Sequence, residues 1–177
     1  WDTRAVELPG LIGAIYYVSC PEDGEAGRLW GTEVYTDDSS VCTVAVHMDL
    51  IDLEDGGEFF VMFLDGQDEY EGSEENGIES SDWGSWNRSF VVSDGDMDIE
   101  TLEIGWGTRA NGLPGLTGVI YYVECPEDGE VGSLWGTEVY TDDSSVCTAA
   151  VHMDLIDLED GGEFFVMILD GQEEYEG

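Results

Sequence analysis

Two histidines, four cysteines and 42 carboxylates are the side chains of this 177-residue sequence whose chemistry could go beyond packing. His47 and His152 each close an apolar run that contains a cysteine, Cys42 or Cys147. A catalytic histidine needs a nucleophile beside it. No G-x-S-x-G stands in the sequence to supply one. Each histidine is therefore expected to be a core side chain, bonded to a backbone carbonyl or a carboxylate. No GxGxxG or phosphate-binding loop occurs, and carboxylates are too many for one hydrolytic pair to stand out. The chain is expected not to be an enzyme.

The acidic turns hold the sharper chemistry. Ca²⁺ takes six to eight oxygen ligands, and carboxylates on glycine-rich turns can bend to meet it. Glu22-Asp23-Gly24-Glu25 is one such turn, and Asp128 repeats Asp23. Asp52, Glu54, Asp55 and Glu58 surround Gly56-Gly57, and Asp157, Glu159 and Asp160 repeat the pattern. Asp65, Asp68, Glu69 and Glu71 form a third group, and Asp94, Asp96 and Asp98 a fourth. The last begins like an EF-hand loop, but Ile99 and Gly105 stand where that loop needs glycine and glutamate. Bound Ca²⁺ is expected at one or more of these turns. A salt-adapted acidic surface is the competing reading.

The charge explains why cations should matter. Four arginines and no lysine oppose the carboxylates, for a formal net charge of −38. Two like charges about 4 Å apart repel by roughly 1 kcal/mol in water, and by more near a protein surface. Each Ca²⁺ would remove two charges, whereas monovalent salt only screens them. The same charge argues against nucleic acid and anionic lipid as partners. No apolar run reaches the roughly 20 residues of a membrane span, so no membrane insertion is expected. The cysteines fall two per repeat, without CxxC or zinc spacing. That usage suggests one disulfide per repeat and an extracellular or cell-surface setting.

The elements that would position these groups follow from periodicity. YTDDSSVCTVAVHMDLI, Tyr35 to Ile51, returns as YTDDSSVCTAAVHMDLI, Tyr140 to Ile156. Asp38, Ser39 or Ser40 could cap a helix, and the acids suit its positive end. The residues after the cap are apolar all round, as in a buried helix that ends near Ile51. Strands are expected over Leu11–Val18, Leu29–Tyr35, Glu58–Leu64, Trp83–Val92 and Thr101–Ile104, with turns at Pro9-Gly10, Asp65-Gly66 and Gly56-Gly57. The result is an α+β module with strands around one central helix.

An offset of 105 aligns residues 1–72 with 106–177 at 61 identical positions of 72. The first repeat is read as 1–105, with a linker over about 93–105, and the second as 106–177. The second copy stops before the counterpart of residues 73–105, which contain the core-forming NGIESSDWGSWNRSFVV. Either further chain or strands from another copy are expected to complete it. The latter would build a fibre.

The motifs Cys125-Pro126, Leu134-Trp135-Gly136-Thr137, YTDDSSVCTAAVH (Tyr140 to His152), Gly161-Gly162 and Phe164-Phe165-Val166 resemble the LCCL domain family. Tyr70-Glu71-Gly72-Ser73, Asn76 to Ser80 and Trp86 to Phe90 extend the resemblance through the first copy. It implies a central buried helix wrapped by two antiparallel β-sheets, repeated in tandem, in an extracellular, non-enzymatic module. It also implies the disulfides Cys20–Cys42 and Cys125–Cys147, since the family's usual second cysteine after Cys-Pro is absent and Gly24 and Gly129 sit about there. Copies of the chain itself, in an array or filament, are the expected partners. The alternative is an adhesin-type binding module that recognises carbohydrate or lipid through Trp83 and Trp86.

Overall fold

A computed structural model describes residues 1–177, which form two compact units, Trp1–Asp98 and Ile99–Gly177. In the first unit, β1 (Ile15–Cys20), β2 (Gly31–Thr32), β3 (Val34–Thr36) and α1 (Val41–His47) precede the long β4 (Gly57–Asp65). The short β5 (Glu74–Glu75) and β6 (Ile78–Glu79) and then β7 (Arg88–Ser93) follow. The sheet runs β1-β4-β7-β3-β2, and β5 with β6 makes a separate two-stranded ladder. All these pairings are antiparallel. β4 is central because its middle, Val61-Met62-Phe63, is buried on both faces.

The helix is buried all round, as its composition requires, and every residue of α1 is inside. Full burial of a valine such as Val44 stabilises by about 1.5–3 kcal/mol. The helix is shorter than the apolar run. Asp49 adopts φ 59°, its N–H bonds Val46 O at 3.0 Å, and Leu50 N–H bonds Ala45 O at 2.9 Å. That is a Schellman closure with aspartate in the left-handed position where glycine is usual. It ends the helix while hydrophobicity continues. At the other end Ser40 caps, its Oγ accepting from Thr43 N. The acids ahead of it do not serve the helix dipole, because the first turn holds none.

Three strand expectations change, and the strand read over Trp83–Val92 begins only at Arg88, Trp83 forming a single bridge with Tyr70. Leu29–Tyr35 is not one strand, because Glu33 at φ 63° folds it into the β2–β3 hairpin. Leu11–Val18 begins with a turn, Ala14 N–H to Leu11 O at 3.0 Å, so β1 starts only at Ile15.

The second unit repeats the plan with fewer strands. It comprises β8 (Thr101–Glu103), β9 (Ile120–Cys125), β10 (Gly136–Thr137), β11 (Val139–Tyr140), α2 (Val146–His152) and β12 (Gly162–Met167). β12 pairs antiparallel with β9, β10 with β11, and β8 lies parallel to β9. That pairing draws Thr101–Glu103, read from sequence as part of the linker, into the second unit. The disulfides Cys20–Cys42 and Cys125–Cys147 are both formed, each with Cα atoms 5.9 Å apart. Each ties the first turn of a helix to the end of a strand.

Candidate functional site

His47 is 2% exposed. Its Nδ1 meets the Tyr35 hydroxyl at 2.7 Å, and its Nε2 faces Ser73 O at 3.4 Å and Ser73 Oγ at 3.3 Å. The expected carbonyl is there, but the principal partner is a phenol, with no carboxylate to orient the ring for base catalysis. Burial raises Tyr35 to about pKa 12, outweighing a lowering backbone hydrogen bond at Glu33. The Tyr140–His152 pair repeats the contact at 2.8 Å. These histidines anchor the helix to β3 and β11.

The acidic turns have structural work of their own. Asp52 Oδ1 accepts from the N–H groups of Glu54 and Asp55 at 2.9 and 2.8 Å. Asp157 does the same for Glu159 and Asp160 at 3.0 and 2.8 Å. Asp23 and Asp128 hold left-handed turns, φ 55° and 56°. Their N–H groups bond Glu54 O and Glu159 O at 3.0 and 3.1 Å, so two of the acidic turns lie side by side in each unit. Glu58 Oε2 accepts from the Tyr17 hydroxyl at 3.0 Å, and that bond raises the Tyr17 pKa. Asp94 Oδ1 faces Asp96 N at 3.5 Å, while Asp98 closes the first unit. Nowhere do three histidine, cysteine, aspartate or glutamate side chains converge as metal ligands would.

Two groups escape a reading of the sequence alone. Asp37 is buried, accepts from Trp86 Nε1 at 2.7 Å and lies 3.7 Å from Arg88 Nη1. Arg88 stacks its guanidinium 3.5 Å from the Phe63 ring centroid. So one aspartate of the YTDD motif organises β7, while Asp38 pairs with Arg4 at 2.6 Å. The other group is Trp1, whose indole donates to Pro21 O at 2.8 Å and covers Gly24. A Cβ on Gly24 would sit 2.0 Å from that ring. Trp106 covers Gly129 in the same way. The tryptophans fill the space around the glycines that stand near the family's missing cysteine. The signal available was the recurrence of Trp-x-Thr-Arg at the head of each copy.

On the first unit's surface Trp30, Trp83 and Trp86 cluster, with ring centroids 6.0 Å (Trp30–Trp83) and 6.2 Å (Trp83–Trp86) apart. Trp83 is 46% exposed. Asn87, of the sequon Asn87-Arg88-Ser89, is exposed immediately before β7.

Comparison with known proteins agrees with these motifs. The LCCL domain model matches residues 2–90 and 107–177. Bovine vitrin (Bos taurus) is 40% identical over 96 residues, 53% of this chain and 14% of that protein. Human cysteine-rich secretory protein LCCL domain-containing 2 is 29% identical over 157 residues, 85% of this chain and 31% of that protein. Clotting factor C of Tachypleus tridentatus is 34% identical over 91 residues, 50% of this chain and 9% of that protein. The chain thus spans less than a third of the length of these relatives. The paired disulfides and the likeness to a secretory protein are consistent with an extracellular module. No helix is long and apolar enough to cross a membrane.

Proposed function

The chain belongs to the LCCL domain family, and from that premise we propose that it is a non-enzymatic structural repeat module of an extracellular surface or matrix protein. In this reading Ca²⁺ stiffens the module and copies join into filaments by sharing strands. The observation that carries it is how the repeated motif uses its polar groups. Ser39, Ser40, Thr43, Asp37 and His47 are all buried. They bond Trp30 N, Trp1 O, Gly27 N, Trp86 Nε1 and Tyr35 Oη within the same unit. Such groups hold a shape and leave none poised for chemistry.

Two features support the calcium component. The net charge of −38 loads carboxylates onto turns, and the turns at Glu22–Glu25 and Asp52–Glu58 are held together by backbone bonds. Divalent ions relieve such repulsion in pairs of charges. The test is a thermal melt with and without a calcium chelator, repeated in high sodium chloride, alongside electron microscopy. A chelator-induced fall in Tm that sodium does not reverse, together with regular fibres, is expected. Full rescue by sodium would reduce the acidity to a salt-adapted surface and remove calcium from the account.

The tryptophan cluster favours a second reading, an adhesin-type module that stacks a sugar ring on Trp83. Retention on immobilised glycans, abolished by Trp83→Ala with an unchanged melt, would establish it. Passage of the parent chain without retention would dismiss it.

A further inference from the structure

Three asparagines occur in the chain, Asn76, Asn87 and Asn111, and only Asn87 heads an N-x-Ser/Thr sequence, with Arg88 and Ser89. The fold treats these three consecutive residues differently. Asn87 is exposed at the entry to β7. Arg88 turns inward, its guanidinium 3.5 Å from the Phe63 ring centroid and its Nη1 3.7 Å from Asp37. Ser89 is wholly buried, and its Oγ bonds the Tyr70 hydroxyl. The backbone at Asn87 is fixed. Gly66 N–H bonds Asn87 O at 3.2 Å, and Trp86 N–H bonds Gln67 O at 3.0 Å. The two segments lie so close that a Cβ on Gly66 would stand 1.7 Å from Trp86 O. The corner is thus held rigidly while Asn87 stays in solvent. Asn76, by contrast, spends its amide on His47 O at 3.0 Å.

We propose that Asn87 is the attachment point of an N-linked oligosaccharide, transferred before β7 joins the sheet. Such a glycan is bulky and strongly hydrated, so it needs an asparagine that ends on the surface of a secreted chain. The exposure of Asn87 and the extracellular setting of the module meet those needs. The chemistry is a displacement at the sugar. The Asn87 side-chain nitrogen forms a bond to the anomeric carbon of an oligosaccharide held on a lipid pyrophosphate. The bond from that carbon to the pyrophosphate oxygen breaks, the lipid pyrophosphate leaves with the electron pair, and the amide gives up one proton. The transferase also requires the hydroxyl of the third residue, here Ser89. In the folded unit that hydroxyl is committed to Tyr70 and closed off from solvent. Attachment therefore belongs to the unfolded chain, and folding then seals Ser89 away while leaving Asn87 outside.

The glycan changes the surface around it. Trp86 directly precedes Asn87, and its ring centroid is 6.2 Å from that of Trp83, which is 46% exposed. An oligosaccharide at Asn87 lays polar bulk beside these tryptophans, a patch that otherwise invites association. It also competes with any free sugar docking on those rings.

This inference rests on the extracellular part of the structural reading and on no other. The test uses the whole 177-residue chain, secreted from animal cells behind a cleavable signal. The expected product carries a single oligosaccharide in most molecules. Digestion with a peptide:N-glycosidase should remove it and leave aspartate at position 87 in the peptide map. Asn87→Gln should be secreted without the glycan and keep the Tm of the deglycosylated parent, because Asn87 is exposed. Ser89→Ala should lose the glycan and also melt lower, because it takes away the buried partner of Tyr70. Chain folded without the glycan, with both disulfides formed, should remain unmodified by solubilised transferase and its lipid-linked donor. The same chain, reduced and unfolded, should be modified. Secretion of the disulfide-bonded chain with Asn87 bare would overturn the inference and leave the extracellular reading standing. Equal modification of the folded and unfolded chains would overturn the proposed order of events.

Discussion

The clearest quantitative consequence concerns the disulfides. Cys20–Cys42 and Cys125–Cys147 each span a sequence separation of 22. Closing a loop of that size removes about 11 cal/mol/K of unfolded-chain entropy, or about 3.4 kcal/mol at 25 °C. Replacing Cys20 and Cys42 together by alanine should therefore destabilise the first unit by about 3.4 kcal/mol. A further ~1 kcal/mol is expected from the buried sulfurs lost, since Cys20 and Cys42 are 3% and 7% exposed. The Cys125/Cys147 double variant should lose a similar amount, because the loops are equal and those sulfurs are buried too. Urea titrations followed by tryptophan fluorescence measure this directly. With a slope of about 2 kcal/mol/M, the midpoint of the affected unit should fall by about 2 M. A shift below about 0.5 M in either variant would mean that loop closure is not what the bond contributes. A loss confined to one pair would show that native packing sets its value.

Other consequences are separable. Tyr35 is raised by burial from 10.0 to about 12, so the fold favours the protonated phenol. Its stabilising contribution is complete below pH 10 and disappears as pH rises through 12. Ultraviolet titration should show Tyr35→Phe removing the late-titrating phenol, and the variant should lose about 1 kcal/mol at neutral pH with the His47 contact. Phe90→Ala should cost about 3–5 kcal/mol, since that ring is fully buried between Tyr35 and Phe63; a loss under 1 kcal/mol in a urea titration would contradict the assigned packing. Gly24→Ala should expel the Trp1 indole at about 1–3 kcal/mol, read as a red-shifted fluorescence component, and an unchanged spectrum would refute that contact.

Much of this fold is legible in the sequence because the relevant forces are local. The run Val41 to Val46, apolar but for Thr43, reads as a buried helix and EFFVMFL as an inner strand, and both take those places in the first unit. What escaped depends on partners far along the chain or on residues in unusual conformations. Asp49 and Glu33 take left-handed backbone that glycine would have advertised. Asp37 looks like a helix-capping acid, but its partners Trp86 and Arg88 lie about fifty residues away. The acidic turns were legible as turns. Their hydrogen bonds, such as Asp52 Oδ1 to Glu54 and Asp55, follow from turn chemistry that composition does not separate from ion binding.

The two copies supply their own control on that point. Around His47 and His152 the sequences agree from Met48 to Phe59 and from Met153 to Phe164, and from Tyr35 to Thr43 and Tyr140 to Thr148. Yet His47 is 2% exposed whereas His152 is exposed, although both keep the tyrosine contact. Asp37 and Asp142 diverge in the same way. The difference arises from residues 73–93, which bring Ser73, Asn76, Trp86 and Arg88 over the first copy. Identical local sequence therefore fixes the helix, the cap and the tyrosine–histidine bond, while burial of the same side chains is conferred by a strand and a hairpin from elsewhere. The local motif thus sets the conformation of these side chains, and contacts distant in sequence set their exposure.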